Sequence, residues 1–385
     1  MLTVPSKNHR AGRGENRKIL CLAAVGIAVM LVLILTSRDT PSVDFNQFYS
    51  AGKLVGTGHL YDWPAIRSLE LEHNSNTTPF VRLPIYALIF RGLSVLPYPL
   101  ARLLYLWIEL AALAGALVLW PFSRFENRWA RVWLALCWFA PLTIGLVIGQ
   151  DPVLVLFFMS LGCRLLVSGK SDFWAGVAFS ICASKFHLVA LLPVALVAQS
   201  RWKALLGGAA GGAVILGTSF ALEGPDWPGR FLALTRLQVF DPALQRMPNL
   251  RELLSFTGAG FPVEVALSLL AVAVIFLLCR RLPLPYAMSL ALAGGLLISH
   301  HAYLYDCVLL LPAILLVLDE PFPAWLRTWA RLLLTPMPYI LLMTDIQLPG
   351  NLAITGFTIA LLATLVHRLR QPSAVPTLAA LAART

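Results

Sequence analysis

The sequence predicts an all-α polytopic integral membrane protein, and three observations carry that prediction. Its 385 residues are 58% hydrophobic and 13% charged, with a mean hydropathy of +0.75, whereas water-soluble domains hold roughly 45–50% apolar and about 25% charged residues. Apolar runs recur at the roughly 17–25 residues that cross a hydrocarbon layer as helix. The basic residues form small clusters between these runs, so the formal net charge of +11 reads as membrane topology rather than as a nucleic-acid surface.

Each element follows in chain order. Lys7, Arg10, Arg13, Arg17 and Lys18 precede an apolar run over 19–35 that no Ala-x-Ala site follows. This predicts a retained signal anchor with residues 1–18 as a cytoplasmic basic tail. Further spans are expected over 101–120, 132–149, 153–168, 204–221, 263–279, 284–298, 303–318, 332–344 and 352–366. The apolar stretch 173–198 is interrupted by Ser184, Lys185 and His187 and is flanked on both sides by basic residues (Arg164 and Lys170, then Arg201 and Lys203). Two basic flanks on one side imply a hairpin of two short helices with Lys185 at the outer turn, since a lysine in mid-bilayer costs several kcal/mol unless it faces water or protein.

The stretch 83–96, bounded by Pro84 and Pro97, is too short to span and predicts an interfacial or re-entrant helix. Roughly twelve spans result, with both termini inside and Arg124, Arg128, Arg131, Arg280, Arg281, Arg327, Arg331, Arg368 and Arg370 on the cytoplasmic side. The domain plan is one membrane domain over 19–370, long external loops at about 36–102 and 223–262, and a cytoplasmic tail over 371–385. The six cysteines lie in or beside apolar stretches without Cys-x-x-Cys spacing, which predicts neither disulfides nor structural zinc.

The external segments hold the residues able to do chemistry. Asp44, in Val43-Asp44-Phe45-Asn46-Gln47-Phe48-Tyr49, is a carboxylate at the membrane edge. Desolvation raises such a group's proton affinity and a neighbouring cation lowers it again, which suits a general base; a helix N-cap or a solvated loop acid is the other reading. His300 and His301 stand near Tyr303, Tyr305 and Asp306. Ligand contact, metal ligation without the helical His-x-x-x-His spacing, and interfacial packing all stay open for them. Gln150 and Asp151 can contact a sugar or cap a helix. Asn249, Arg251 and Glu252 can line an acceptor cleft or face solvent. Trp63, Trp107 and Trp227 fit an interfacial aromatic belt or a sugar platform.

Several of these segments together resemble glycosyltransferase family 87, the polyprenol-phosphate-mannose-dependent mannosyltransferase-like proteins. Asp44-Phe45 with Tyr49, Ala51, Gly58 and Tyr61-Asp62 resembles the family's first external loop. Leu83-Pro84 with 93–97, Gly149-Gln150, Ala175-Gly176 to Lys185, Asn249-Leu250 to Leu254, and Ser299-His300-His301 with Tyr305, Asp306 and Pro312 resemble its later motifs, in order over about 45–315.

The resemblance implies a fold of the GT-C type, a polyprenyl-phosphate sugar as donor, mannose being the family's best-known one, and inversion at the anomeric carbon. Such a transfer needs a base for the acceptor hydroxyl and cationic or N–H groups for the departing phosphate, and residue chemistry offers Asp44 as the base, Lys185, Arg82, His300 and His301 at the donor phosphate, and Tyr49, Gln150, Asn249 and Tyr305 as substrate contacts. A snorkelling lysine is the alternative for Lys185. Membrane lipids, the donor, and a glycolipid or polysaccharide acceptor are the implied partners, with no nucleic acid. No cofactor beyond the donor is implied, and a divalent cation stays open. The implied location is the inner (plasma) membrane with the site facing the periplasm or exterior.

Two rivals remain. A lipid or sugar transporter or flippase fits Lys185 and the small residues Gly207, Gly208, Gly211 and Gly212, although no inverted repeat is visible. A non-catalytic family member fits the departures from the pattern: Arg82-Leu83-Pro84-Ile85 where a Tyr-Pro-Pro stands in the family, and Phe186-His187 where a proline commonly follows the lysine.

Overall fold

The computed structural model describes residues 21, 24–30, 32–33, 43–73, 77–121, 136–169, 171–237 and 246–370. The expected basic tail, parts of the first span, the Arg124 to Arg131 cluster and the C-terminal tail lie outside the described residues. The structure is 79% helix, and no strand occurs among the described residues. In hydrocarbon a helix satisfies every backbone amide within its own segment.

The segment expected to be the first external loop is not a loose loop. It folds into helices α1 (Val43–Leu54), α2 (Trp63–Leu71) and α3 (Pro84–Ser94). α3 occupies the stretch expected to form a short interfacial helix, and Pro84 starts it at a position where a missing N–H costs nothing. Phe45, Phe48, Tyr61, Ile66, Phe80, Phe90, Tyr105 and Trp227 form a separate buried core beneath these helices, with Phe48 and Phe90 stacked at 4.7 Å. Trp227, expected in the interfacial belt, is instead 4% exposed and packs against Tyr61 at 6.2 Å. It thereby docks the second external segment onto the first.

Helix α4 (Tyr98–Leu119) is the next span. α5 (Ala140–Ile148) and α6 (Pro152–Ser168) follow, bent by 115° at their junction. The cause is local. Gly149 has φ 76°, its N–H and that of Gln150 both close on Gly145 O, and Pro152 begins the next helix. Gln150 and Asp151 are left at the corner.

The stretch 173–198 breaks near the expected lysine: α7 (Asp172–Ile181) tightens into a 3₁₀ turn, Cys182–Lys185, before α8 (Leu191–Ala198). Then come α9 (Trp202–Glu223), α10 (Trp227–Thr235), α11 (Leu250–Ser255), α12 (Phe261–Arg281) and α13 (Leu284–Ile298). A second 3₁₀ stretch, Leu304–Leu310, leads into α14 (Leu311–Asp319), and α15 (Ala324–Leu333), α16 (Met337–Met343) and α17 (Gln347–Arg370) complete the described chain.

Among the described residues, four helices, α4, α9, α12 and α17, are long and apolar enough to cross a membrane, and the bent α5–α6 pair makes a fifth when taken as one span. This is a membrane protein. The single span expected over 332–344 is instead divided between α15 and α16. Pro336 supplies no N–H and biases Thr335 away from helical geometry.

Helices α7 and α9 pack through glycine. A Cβ on Gly207 would sit 1.9 Å from Phe173 O, and one on Gly176 would sit 1.8 Å from Ala204 O, whereas one on Gly212 would meet nothing within 4 Å. Without a hydrophobic drive between helices in lipid, such close backbone approach is what holds them together. Gly207→Ala is therefore expected to destabilise by roughly 1–3 kcal/mol, and Gly212→Ala to be neutral or stabilising by up to about 1 kcal/mol. Thermal unfolding of the two variants in one detergent checks the contrast; equal effects would refute the contact.

Candidate active site

Where this separate core meets the long apolar helices, a cavity of about 300 Å³ opens, lined among others by Asp44, Gln47, Thr78, Arg82, Gln150, Lys185, His187, His301, Tyr303, Tyr305 and Asp306. The segments 44–47 and 78–82, the corner at Gln150, the break at 184–187 and the segment 301–306 contribute to it.

Asp44 lies in the first turn of α1, where unpaired N–H groups favour a negative side chain. Its Oδ1 accepts from Gln47 Nε2 at 3.2 Å, and the Gln150 side chain also donates to it. The Gln150 amide oxygen accepts on its other side from Arg82 Nη2 at 3.2 Å and from Lys185 Nζ at 3.3 Å. One amide therefore connects the carboxylate to both cations. Burial pushes the Asp44 carboxyl up to about 6, against the Gln150 hydrogen bond and the charges of Lys185 and Arg82, which hold it down.

Arg82 comes from the non-helical segment 77–83, anchored by the Tyr61 hydroxyl donating to its carbonyl at 2.6 Å. Its guanidinium donates to Ser184 O at 2.7 Å and to Asp151 Oδ1 at 2.9 Å and lies over the Phe48 ring at 5.0 Å. Lys185, at the end of the first 3₁₀ turn, pairs with Asp306 Oδ1 at 2.8 Å and Asp151 Oδ1 at 3.5 Å, with Tyr305 beneath it at 5.1 Å. Asp306 is itself oriented by the Tyr303 N–H at 2.9 Å. The two cations thus face two buried acids. His187 and His301 lie 6.1 Å apart. Burial pushes His187 down to about 4 and also lowers His301, so both are neutral imidazoles at pH 7.

Of the residues singled out from the sequence, Asp44, Arg82, Gln150, Lys185, His301 and Tyr305 meet in this cavity. Three do not line it. Tyr49 spends its hydroxyl on Leu96 O at 2.7 Å within the external aromatic core. Asn249 caps α11, accepting from the Glu252 N–H at 3.0 Å and donating to Ser299 O at 2.9 Å. His300 faces outward, with Arg251 donating to its Nε2 at 2.7 Å and Glu264 at 3.3 Å from its Nδ1. Adjacent residues in an extended turn point in opposite directions, so only one of the two histidines reaches the cavity.

The sequence reading did not pair Asp151 and Asp306 with the cations, and it did not place Gln47 or His187 in the site. Gln47 carried a signal, since three residues on a helix bring it beside Asp44.

The model of glycosyltransferase family 87 matches residues 80–312, more than half of the chain. The chain belongs to that family. Neither a curated protein nor a solved structure matches it. The family-87 window contains Arg82, Gln150, Asp151, Lys185, His187, His301, Tyr305 and Asp306 but not Asp44, Gln47 or Thr78, which the fold alone adds to the same cavity. Family-87 membership supports glycosyl transfer as the activity. The cavity offers such a reaction a desolvated carboxylate, two cations and two neutral imidazoles within one enclosure.

Proposed function

We propose that this family-87 protein is an inverting membrane glycosyltransferase that moves a sugar, mannose first among the candidates, from a polyprenyl-phosphate donor to a lipid or polysaccharide acceptor at the outer face of the membrane. The observation that carries the reading is the link from Asp44 through one Gln150 amide to Arg82 and Lys185. Inverting transfer needs a base on one side of the reacting carbon and hydrogen-bond donors for the departing phosphate on the other.

In this reading the acceptor hydroxyl attacks the anomeric carbon while its proton passes to an Asp44 oxygen. The bond from that carbon to the phosphate oxygen breaks, and the electron pair leaves with polyprenyl phosphate. Arg82, Lys185 and the neutral imidazoles of His187 and His301 supply N–H groups to the phosphate, and Tyr305 and Gln150 contact the sugar. The arrangement of roughly twelve spans, the GT-C-type fold and the single domain over 19–370 belong to the same proposal, as does a site facing the periplasm or exterior of the inner membrane. The reading names no cofactor beyond the donor substrate and leaves a divalent cation open.

The test uses purified protein in nanodiscs with radiolabelled polyprenyl-phosphate mannose and a membrane-lipid extract, with glucosyl and arabinosyl donors in parallel. Label entering acceptor lipid or polymer supports the reading. No transfer from any of the three donors would hand the lead to the transporter or scaffold reading.

A further inference from the structure

Beside the cavity, the first external segment buries a second acid that the reaction above does not use. Glu70, at the end of α2, has no exposed surface. Its carbonyl accepts from Asn46 Nδ2 of α1 at 2.9 Å, and its Oε2 accepts from the Thr78 N–H at 2.8 Å. Asn46 is two residues from Asp44, and Thr78 lines the cavity on the same segment as Arg82. One residue therefore ties the helix that carries the base to the segment that carries a cation. Among the described residues its Oε1 is buried without a hydrogen-bond partner, as are Asn46 Oδ1, Thr78 Oγ1 and, one turn along α1, Ser50 Oγ.

We propose that Glu70 is a positioning residue of this site, present as the neutral acid: its hydrogen bonds hold Asp44 in register with Arg82, and its lack of charge keeps a second carboxylate from opposing the ionisation of Asp44. The catalytic half of this inference rests on the glycosyltransferase reading.

The surroundings agree. Burial pushes the Glu70 carboxyl up to about 8, against the Thr78 N–H, and the Asp44 carboxyl raises it further. From α1 the charged groups are Asp44 and Lys53, and Lys53 is occupied by Glu72 of the α2 end at 3.7 Å. His73 beside them is held below its usual value by burial and by Lys53. From the segment 77–83, Thr78 presents only its uncharged N–H and hydroxyl.

Glu70→Gln tests this, because it preserves the shape and an amide oxygen for the Thr78 N–H but cannot titrate. The first arm needs no substrate. An unfolded glutamate ionises near 4.5 and the native one near 8, so between those values the unfolded chain binds fewer protons and wild-type stability falls as pH rises. The Tm of Glu70→Gln relative to wild type is expected to climb steadily from pH 5 to pH 8. A flat difference overturns the neutral acid. Glu70→Met, of similar length and also non-titrating, gives the same comparison if the amide disturbs folding.

The second arm follows transfer against pH. Because Glu70 is uncharged while Asp44 titrates, Glu70→Gln is expected to keep the wild-type acid limb, and Glu70→Met, which cannot accept from the Thr78 N–H, to lower the plateau rate several-fold. An acid limb moved to lower pH in Glu70→Gln overturns the neutral acid, and a wild-type plateau in Glu70→Met overturns the positioning role. If wild type transfers no sugar, the glycosyltransferase reading falls, and with it the positioning role, while the Tm arm still decides the protonation state.

Discussion

Asp44→Asn is expected to lower sugar transfer by about 10²–10⁴-fold, the usual contribution of a positioned general base, with folding and donor binding retained. The substitution keeps the size of the side chain and an oxygen to accept from Gln47 or Gln150, so what it removes is the capacity to take a proton. The wild-type rate should depend on pH in a defined direction. Burial lifts the carboxyl from 3.8 to about 6 while Gln150, Lys185 and Arg82 restrain the rise. A base works only when ionised, so the rate climbs as pH increases through about 6 and the residual rate of Asp44→Asn does not. Full activity in Asp44→Asn would leave the enzyme in place and remove Asp44 as its base.

The second large effect is expected at Lys185. Its ammonium lies between Asp306 at 2.8 Å and Asp151 at 3.5 Å, and the three side chains are no more than 8% exposed. Lys185→Met leaves buried acid without its counter-ion, a change that costs about 3–5 kcal/mol when one partner of a buried pair is removed. Both Tm and transfer should therefore drop. The double variant Lys185→Met with Asp306→Asn removes the stranded charge and should recover most of the Tm, since residues in one network are strongly non-additive. If Lys185 also holds the donor phosphate, the double variant stays inactive despite its recovered stability. Recovery of transfer along with Tm would show that the lysine serves the fold alone.

The residues that meet in the cavity show why part of the site could be read in advance. Asp44, Lys185 and Gln150 stand out in sequence because each is polar where the surrounding apolar pattern leaves a polar residue little reason to be, at the edge of a run or at a break within one. Hydropathy is a local signal, and it also located α9, α12, α13 and the break in 173–198. Pro84 and Gly149 mark helix boundaries for equally local reasons, a missing N–H and a left-handed φ.

Local signals fail where a residue's fate depends on a distant partner. Tyr49 and Asn249 looked available for a substrate, yet the first is tied to Leu96 and the second to Ser299. His300 and His301 are indistinguishable as neighbours in sequence, and only the turn that carries them sends one outward and the other into the cavity. The span expected over 332–344 failed because hydropathy averages across Pro336 without registering the missing N–H.

By itself the sequence determined that this chain lives in a membrane, that its helices are punctuated near Gly149, Lys185 and Pro84, and that polar residues interrupt its apolar pattern at Asp44, Lys185 and the histidine pair. Composition and backbone geometry act within a few residues, so they can be read from a few residues. Only the tertiary structure decided that Arg82 reaches Ser184, 102 residues away, that Asp151 and Asp306 hold the two cations, and that Glu70 joins the helix of Asp44 to the cavity wall. A buried charge must find its counter-charge wherever the chain brings one, and that pairing is a property of the packed fold rather than of any segment in it.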